Sequence, residues 1–192
     1  MRRCHYLIYR QLGGILVMLG LLTSPLASAV SVNDWLGESH EGTSHTAEMG
    51  DCELENGELI QSCQLTFRTY GRLTTDFDNI VLMPTWLNGN AEGLATYNYL
   101  GPDGIVDTDD YFVIAVNALG NGISSSPSNS MQRPFPTFTI RDQVNLQYRL
   151  LTAYLGVEHL HAVVGASMGG YQTYEWLMTY PTFATHFVPI EG

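Results

Sequence analysis

The sequence predicts an α/β fold, a mostly parallel sheet with flanking helices, on three observations. Ile80-Val81-Leu82-Met83, Tyr111 to Val116 and Leu160 to Val164 are continuous apolar runs. Strands apolar on both faces suit a parallel sheet covered by helices. Between the second and third runs, Val144, Tyr148, Leu151 and Leu155 recur at spacings of four, three and four, forming one apolar stripe. Strand, helix and strand at these lengths make a βαβ unit.

Taken in order, the chain opens with a segment that is not part of the fold. Arg2, Arg3 and Arg10 precede the apolar run Leu12 to Leu22, and Ala27-Ser28-Ala29 supplies the small residues a signal peptidase accepts. A membrane anchor is the rival reading, but the run is about half of the ~20 residues a span needs. Residues 1–29 are therefore expected to be a removed signal peptide, and the mature protein periplasmic or secreted. Residues 30–50, polar and without a clear period, read as a flexible linker, and His40 and His45 within it as solvated side chains.

Removing residues 1–29 takes three of the eight basic residues and no acidic one. Five Arg then face nineteen Asp and Glu, a net charge of −14, with no Lys. Such a surface repels phosphate backbones and anionic lipid, so neither nucleic acid nor, after signal cleavage, a membrane is an expected partner. The apolar and aromatic content is that of a packed core rather than a disordered acidic chain.

Residues 51–72 read as two antiparallel strands around Asn56-Gly57, with Leu65, Phe67 and Thr69 alternating against polar neighbours. Cys52 and Cys63 flank that turn. A two-residue loop offsets them by two positions and a slightly longer one sets them opposite each other. A disulfide suits an exported protein, two buried thiols being the alternative. No His lies close enough in sequence to make them a metal site, and the pattern calls for no cofactor. Further along, Thr139 and Asp142 resemble a capping box at the start of the helix that Gly156 stops.

The chemistry resides in Gly165-Ala166-Ser167-Met168-Gly169, a G-x-S-x-G pattern between an apolar strand and a helix running toward Pro181. A Ser in such a tight turn is held at the C-terminal edge of the sheet with its hydroxyl exposed, and the glycines leave room for the crossing backbone. The helix N-terminus and the Met168 N–H favour negative charge beside that hydroxyl. This is the nucleophile elbow of an α/β-hydrolase fold, and the alternative is a Gly-rich turn with a structural or anion-binding role. The second oxyanion donor is expected in the loop Thr85-Trp86-Leu87-Asn88-Gly89-Asn90, from the Leu87 N–H. The expected catalytic set is thus Ser167, Leu87 and Met168.

Several stretches resemble homoserine O-acetyltransferases and their α/β-hydrolase relatives. They read Phe-Pro-x-Phe-Thr-Ile-Arg-Asp at 135–142, Leu-Gly-Val-Glu-His-Leu at 155–160 and Gly-Ala-Ser-Met-Gly-Gly-Tyr-Gln at 165–172, with Glu175-Trp176 and Tyr180-Pro181 beyond. Upstream, Thr69-Tyr70-Gly71-Arg72-Leu73 is similar to an early strand of that family, and Asn117-Ala118-Leu119-Gly120 to a strand end. Leu87-Asn88-Gly89 stands where the family has Leu-Thr-Gly. The resemblance implies that Ser167 is acylated, with backbone donors at Leu87 and Met168, and a small-molecule ester or acyl substrate. That substrate is acetyl-CoA for a true acetyltransferase. Export away from acetyl-CoA favours an acyl hydrolase or acyltransferase of this group. The alternatives are homoserine O-acetyltransferase proper, translated from Met49, and a noncatalytic interaction protein.

A serine nucleophile needs a base and an orienting carboxylate, which in this fold follow it in the chain. After Ser167 the sequence offers Glu175, His186 and Glu191. Glu175 falls inside the helix, and His186 at the start of the next strand, at the opposite end of the sheet. Glu191 near that strand's top has no partner His. Residues 51–192 are therefore expected to form the N-terminal part of an α/β-hydrolase domain, truncated after the strand following the nucleophile elbow and inactive alone.

Overall fold

The computed structural model describes residues 30–192, so the expected signal peptide lies outside the described residues. The chain forms a six-stranded sheet in the order β1-β2-β6-β3-β7-β8. Strands β1 (Ser39–Glu53) and β2 (Leu59–Arg72) make a long antiparallel hairpin, and β2 pairs antiparallel with β6 (Phe112–Val116). From β6 onward, β3 (Ile80–Pro84), β7 (Leu160–Ala166) and β8 (Ala184–Ile190) are all parallel. The three apolar runs are thus the central strands. A separate pair, β4 (Leu100–Gly101) and β5 (Val106–Asp107), was not expected from the sequence.

Residues 30–50 are not a flexible linker. Val32–Trp35 form a 3-10 turn, and from Ser39 onward the stretch is most of β1. The strand does alternate, but its inward positions carry His40, Gly42, His45, Ala47 and Met49, and the register shifts between Glu41 and Thr43 and around Gly50. Small and polar inward residues plus bulges erase the apolar period that marks a strand. Translation from Met49 would strip β1 of Ser39–Glu48. His40 and His45 are packed, not solvated, around Trp35, Phe67 and Phe112.

The hairpin turn also differs from a two-residue Asn-Gly loop. Leu54 and Glu58 close it through Leu54 N–H to Glu58 O at 2.9 Å, with Gly57 at φ 82°. A bulge with Ser62 at φ 48° then brings Cys63 against Gly50, and Cys52 and Cys63 form a disulfide with Cα atoms 5.8 Å apart.

The sheet is covered on both sides because its central strands bury both faces. Ile80, Leu82, Phe112, Ile114 and Val163 face α2 (Ile140–Arg149) and α3 (Met168–Thr179), against Val144, Leu146 and Trp176. Val81, Met83, Val113 and Ala115 face α1 (Ala91–Thr96), against Ala91 and Leu94. Each fully buried aliphatic side chain is worth about 1.5–3 kcal/mol relative to exposure, which is what holds a sheet between two helical layers.

The capping box of α2 is present. Thr139 Oγ1 accepts from Asp142 N–H at 3.1 Å and Asp142 Oδ2 accepts from Thr139 N–H at 2.8 Å. The other Asp142 oxygen accepts from Glu55 N–H at 2.8 Å, so the cap also anchors the hairpin turn. A π-helical turn, Leu150–Leu155, follows α2 and ends at Gly156 with φ 75°. Among the described residues no helix is long and apolar enough to cross a membrane.

Candidate active site

Strand β7 ends at Ala166 and α3 begins at Met168, which leaves Ser167 as the whole strand-to-helix turn. Its backbone sits at φ 55°, ψ −121°. A non-glycine residue keeps a left-handed φ only where its surroundings over-determine it. Here the Ser167 N–H donates to Ile190 O at 2.9 Å and Ser167 O accepts from Tyr171 N–H at 3.1 Å. The glycines explain how two backbones pass so closely. A Cβ at Gly165 would lie 2.1 Å from Gly169 O, and one at Gly169 would lie 2.6 Å from Pro84 O. The turn therefore presses α3 onto the ends of β7 and β3 and lifts the exposed Ser167 side chain clear of the sheet.

Ser167 opens into a cleft of about 530 Å³ lined by Trp86, Tyr97, Tyr99, Ala166 and Glu191. Trp86 packs edge-on to Tyr97 and tilted against Tyr99, with ring centroids 5.9 Å and 5.5 Å away. Its indole covers Gly89, where a Cβ would come within 2.4 Å of the ring. This aromatic wall was not foreseen, because Tyr97 and Tyr99 stand beyond α1 and only the fold returns them to the loop.

That loop is the one expected to carry the second oxyanion donor. Trp86 to Gly89 forms a turn, closed by Gly89 N–H to Trp86 O at 3.1 Å. Leu87 at its tip is 65% exposed and lies just beyond the cleft lining, next to Trp86. Among the described residues no acceptor takes the N–H of Leu87 or of Met168. Both groups stay open to a ligand, as oxyanion donors must. The structure places Met168 directly beside Ser167 and leaves Leu87 at the rim, one residue from the wall.

The other downstream candidates divide by height on the sheet. His186 pairs with Ala162, four register positions below the Ala166–Ile190 pair that adjoins Ser167. At about 3.3 Å per residue that is about 13 Å down the strand. Its ring faces His161, centroids 5.2 Å apart, not the cleft. Glu175 is engaged elsewhere: Arg141 Nε donates to it at 2.5 Å and Thr179 Oγ1 at 2.9 Å. The Arg141 hydrogen bond holds its carboxyl below the usual range. Glu191, by contrast, reaches the cleft. No imidazole lines the cleft, and no group hydrogen-bonds the Ser167 hydroxyl, among the described residues.

A family described as the alpha/beta hydrolase fold matches residues 80–192. The chain belongs to this family. It is 41% identical over 158 residues to a probable esterase of Corynebacterium glutamicum, covering 79% of this chain and 45% of that protein. To a homoserine O-acetyltransferase of Methanococcoides burtonii it is 36% identical, covering 76% of this chain and 33% of the relative. Among solved structures, an acetylester hydrolase from Corynebacterium glutamicum superimposes with a TM-score of 0.69 at 40% identity, over 74% of this chain and 42% of that one. The resemblance read from the elbow and its flanks therefore holds, with esterases at higher identity than acetyltransferases. This α/β hydrolase is esterase-like, and it spans less than half the length of these relatives.

Proposed function

We propose that this α/β-hydrolase chain is the nucleophile-bearing part of an exported serine acyl hydrolase that cleaves small acyl esters through an acyl-Ser167 intermediate. The observation that carries the reading is the exposed Ser167 at φ 55°, between β7 and α3, at the mouth of an aromatic-walled cleft. Ser167 Oγ attacks the ester carbonyl carbon and gives its proton to a base. The carbonyl oxygen becomes an oxyanion held by the Met168 and Leu87 N–H groups. Collapse expels the alcohol, which takes a proton, and water repeats the sequence to release the acid. The base is supplied by polypeptide outside residues 30–192.

Hydrolysis is preferred to acetyl transfer because the relatives of higher identity are esterases and because export separates the chain from acetyl-CoA. The Cys52–Cys63 disulfide supports an oxidising compartment. A complete enzyme containing this chain is expected to release acetate from simple acetyl esters and to lose that activity on Ser167→Ala. It is also expected to be labelled at Ser167 by an active-site serine phosphonate. Acetylation of homoserine by acetyl-CoA faster than ester hydrolysis would replace this reading with the transferase, and absence of both activities and of labelling with the noncatalytic one. Exported protein should begin at Val30, which N-terminal sequencing reads.

A further inference from the structure

The geometry points to Gln172 as a positioning residue that locks the loop after β3 onto the elbow helix, fixing where the Leu87 N–H meets the acyl oxygen. It rests on the proposed roles of Ser167 and Leu87.

Gln172 has no exposed surface, a costly site for a carboxamide unless every polar atom is paired. Its Nε2 donates to Thr85 O at 3.1 Å and to Met168 O at 3.3 Å. Its Oε1 accepts from Gln147 Nε2 at 2.6 Å, and Gln147 Oε1 accepts from Trp176 Nε1 at 2.8 Å. The polarity of this chain has a single solution. The Trp176 indole can only donate, so the Gln147 oxygen must face it and the Gln147 amide nitrogen must face Gln172. The Gln172 nitrogen is then directed at two backbone carbonyls, which can only accept.

What this one amide joins is specific to the site. Met168 carries one candidate oxyanion donor, and Thr85 lies two residues before the other. Thr85 is also held by its own N–H to Val116 O at 3.1 Å and by Ala118 N–H to its Oγ1 at 3.0 Å. Those two contacts bind it to the β6 side of the sheet, and among the described residues it is Gln172 that hydrogen-bonds its carbonyl from α3, the helix that carries the serine's neighbour. Without that tie the start of the Leu87 turn is free to shift relative to α3, within the limits set by its contacts to β6 and the Gly169–Pro84 crossing. Displacing a catalytic group by about 1 Å costs about 10²-fold in rate.

The test compares Gln172→Met with Gln147→Met in the full enzyme on a short acyl ester, with folding followed by near-UV circular dichroism. Both variants break the buried network, but only the first removes the donors to Thr85 and Met168. The expected result is a fall in kcat of about 10²-fold at nearly constant KM for Gln172→Met, with Gln147→Met within about threefold of the parent. Gln172→Asn, whose amide is one methylene short of Thr85 O, serves if Gln172→Met does not fold, and should lose kcat in the same way. Equal losses in the Gln172 and Gln147 variants, unchanged kcat, or a loss carried by KM would each overturn the positioning role. Ser167→Ala is run alongside: if it stays active, the nucleophile assignment fails and takes this inference with it, whereas a dead Ser167→Ala beside an active Gln172→Met rejects Gln172 alone.

Discussion

At the residue scale, what was legible was what the backbone alone demands. Gly165 and Gly169 mark a crossing too close for side chains, and that constraint shows in the sequence because no other residue meets it. Gly165→Ala should therefore destabilise the protein by about 1–3 kcal/mol in urea unfolding, the usual cost of forcing an extra carbon into a packed site. Its Cβ meets the Gly169 carbonyl, which has no flexible end to move aside. His40 and His45 were illegible because nothing local distinguishes a buried imidazole from a solvated one. Both rings hydrogen-bond Thr69 Oγ1, at 2.6 Å and 2.9 Å, and His40 is only 6% exposed. Burial is the main cause that lowers both pKa values, opposed at His40 by Glu38 and reinforced at His45 by His40. A histidine with a folded pKa below 6.5 leaves the native state unprotonated while the unfolded chain binds a proton. Stability is then full above pH 6.5 and lost as pH falls toward the lowered values. Glu175, also lowered, acts in a separate window, losing its contribution only as pH falls below 4.5. The urea midpoint should drop between pH 7.5 and 5.5, and the drop should shrink in His40→Gln.

At the element scale, legibility followed how much of an element's signal is apolar. Strands β3, β6 and β7 are buried on both faces and appear as unbroken runs, and α2 as a stripe with a cap. Strand β1 is an edge strand with one face open to solvent, and its inward positions hold His, Gly and Ala among others. Its period was present but unreadable. The Cys52–Cys63 disulfide expected of an exported chain is present, but its register depends on a bulge at Ser62 that no turn dipeptide announces. Edge pairing with small inward residues makes the far end of this hairpin depend on its crosslink more than the central strands do. Reduction should lower stability by about 2–3 kcal/mol, as expected for a loop of this size. Both thiols should resist alkylation until a reductant is added, which mass spectrometry of natively prepared protein reads directly. Full labelling without reductant would show that the hairpin closes without the bond.

At the scale of the whole molecule, topology decides which residues can work together. The parallel connection from α3 returns the chain to the foot of the sheet, so His186 starts β8 there and the strand climbs until Glu191 reaches the cleft. A histidine after an elbow thus signals a base by chain order, while its register on the strand removes it. Tyr171, Leu177 and Met178 on α3 and Val188 on the outermost strand are exposed. Residues 30–192 alone should therefore hydrolyse short acyl esters only in trace, because a positioned base contributes about 10²- to 10⁴-fold and the cleft holds none. The Met168 and Leu87 N–H groups, proposed as oxyanion donors, would account for the trace, since residual catalysis survives loss of triad members. His186→Ala should leave that trace unchanged, whereas Ser167→Ala should remove the acyl-enzyme seen by mass spectrometry. A polypeptide carried to the length of the relatives should turn over through Ser167. Strong hydrolysis by residues 30–192 that His186→Ala abolishes would mean that β8 can slide upward in register and carry the imidazole to the serine.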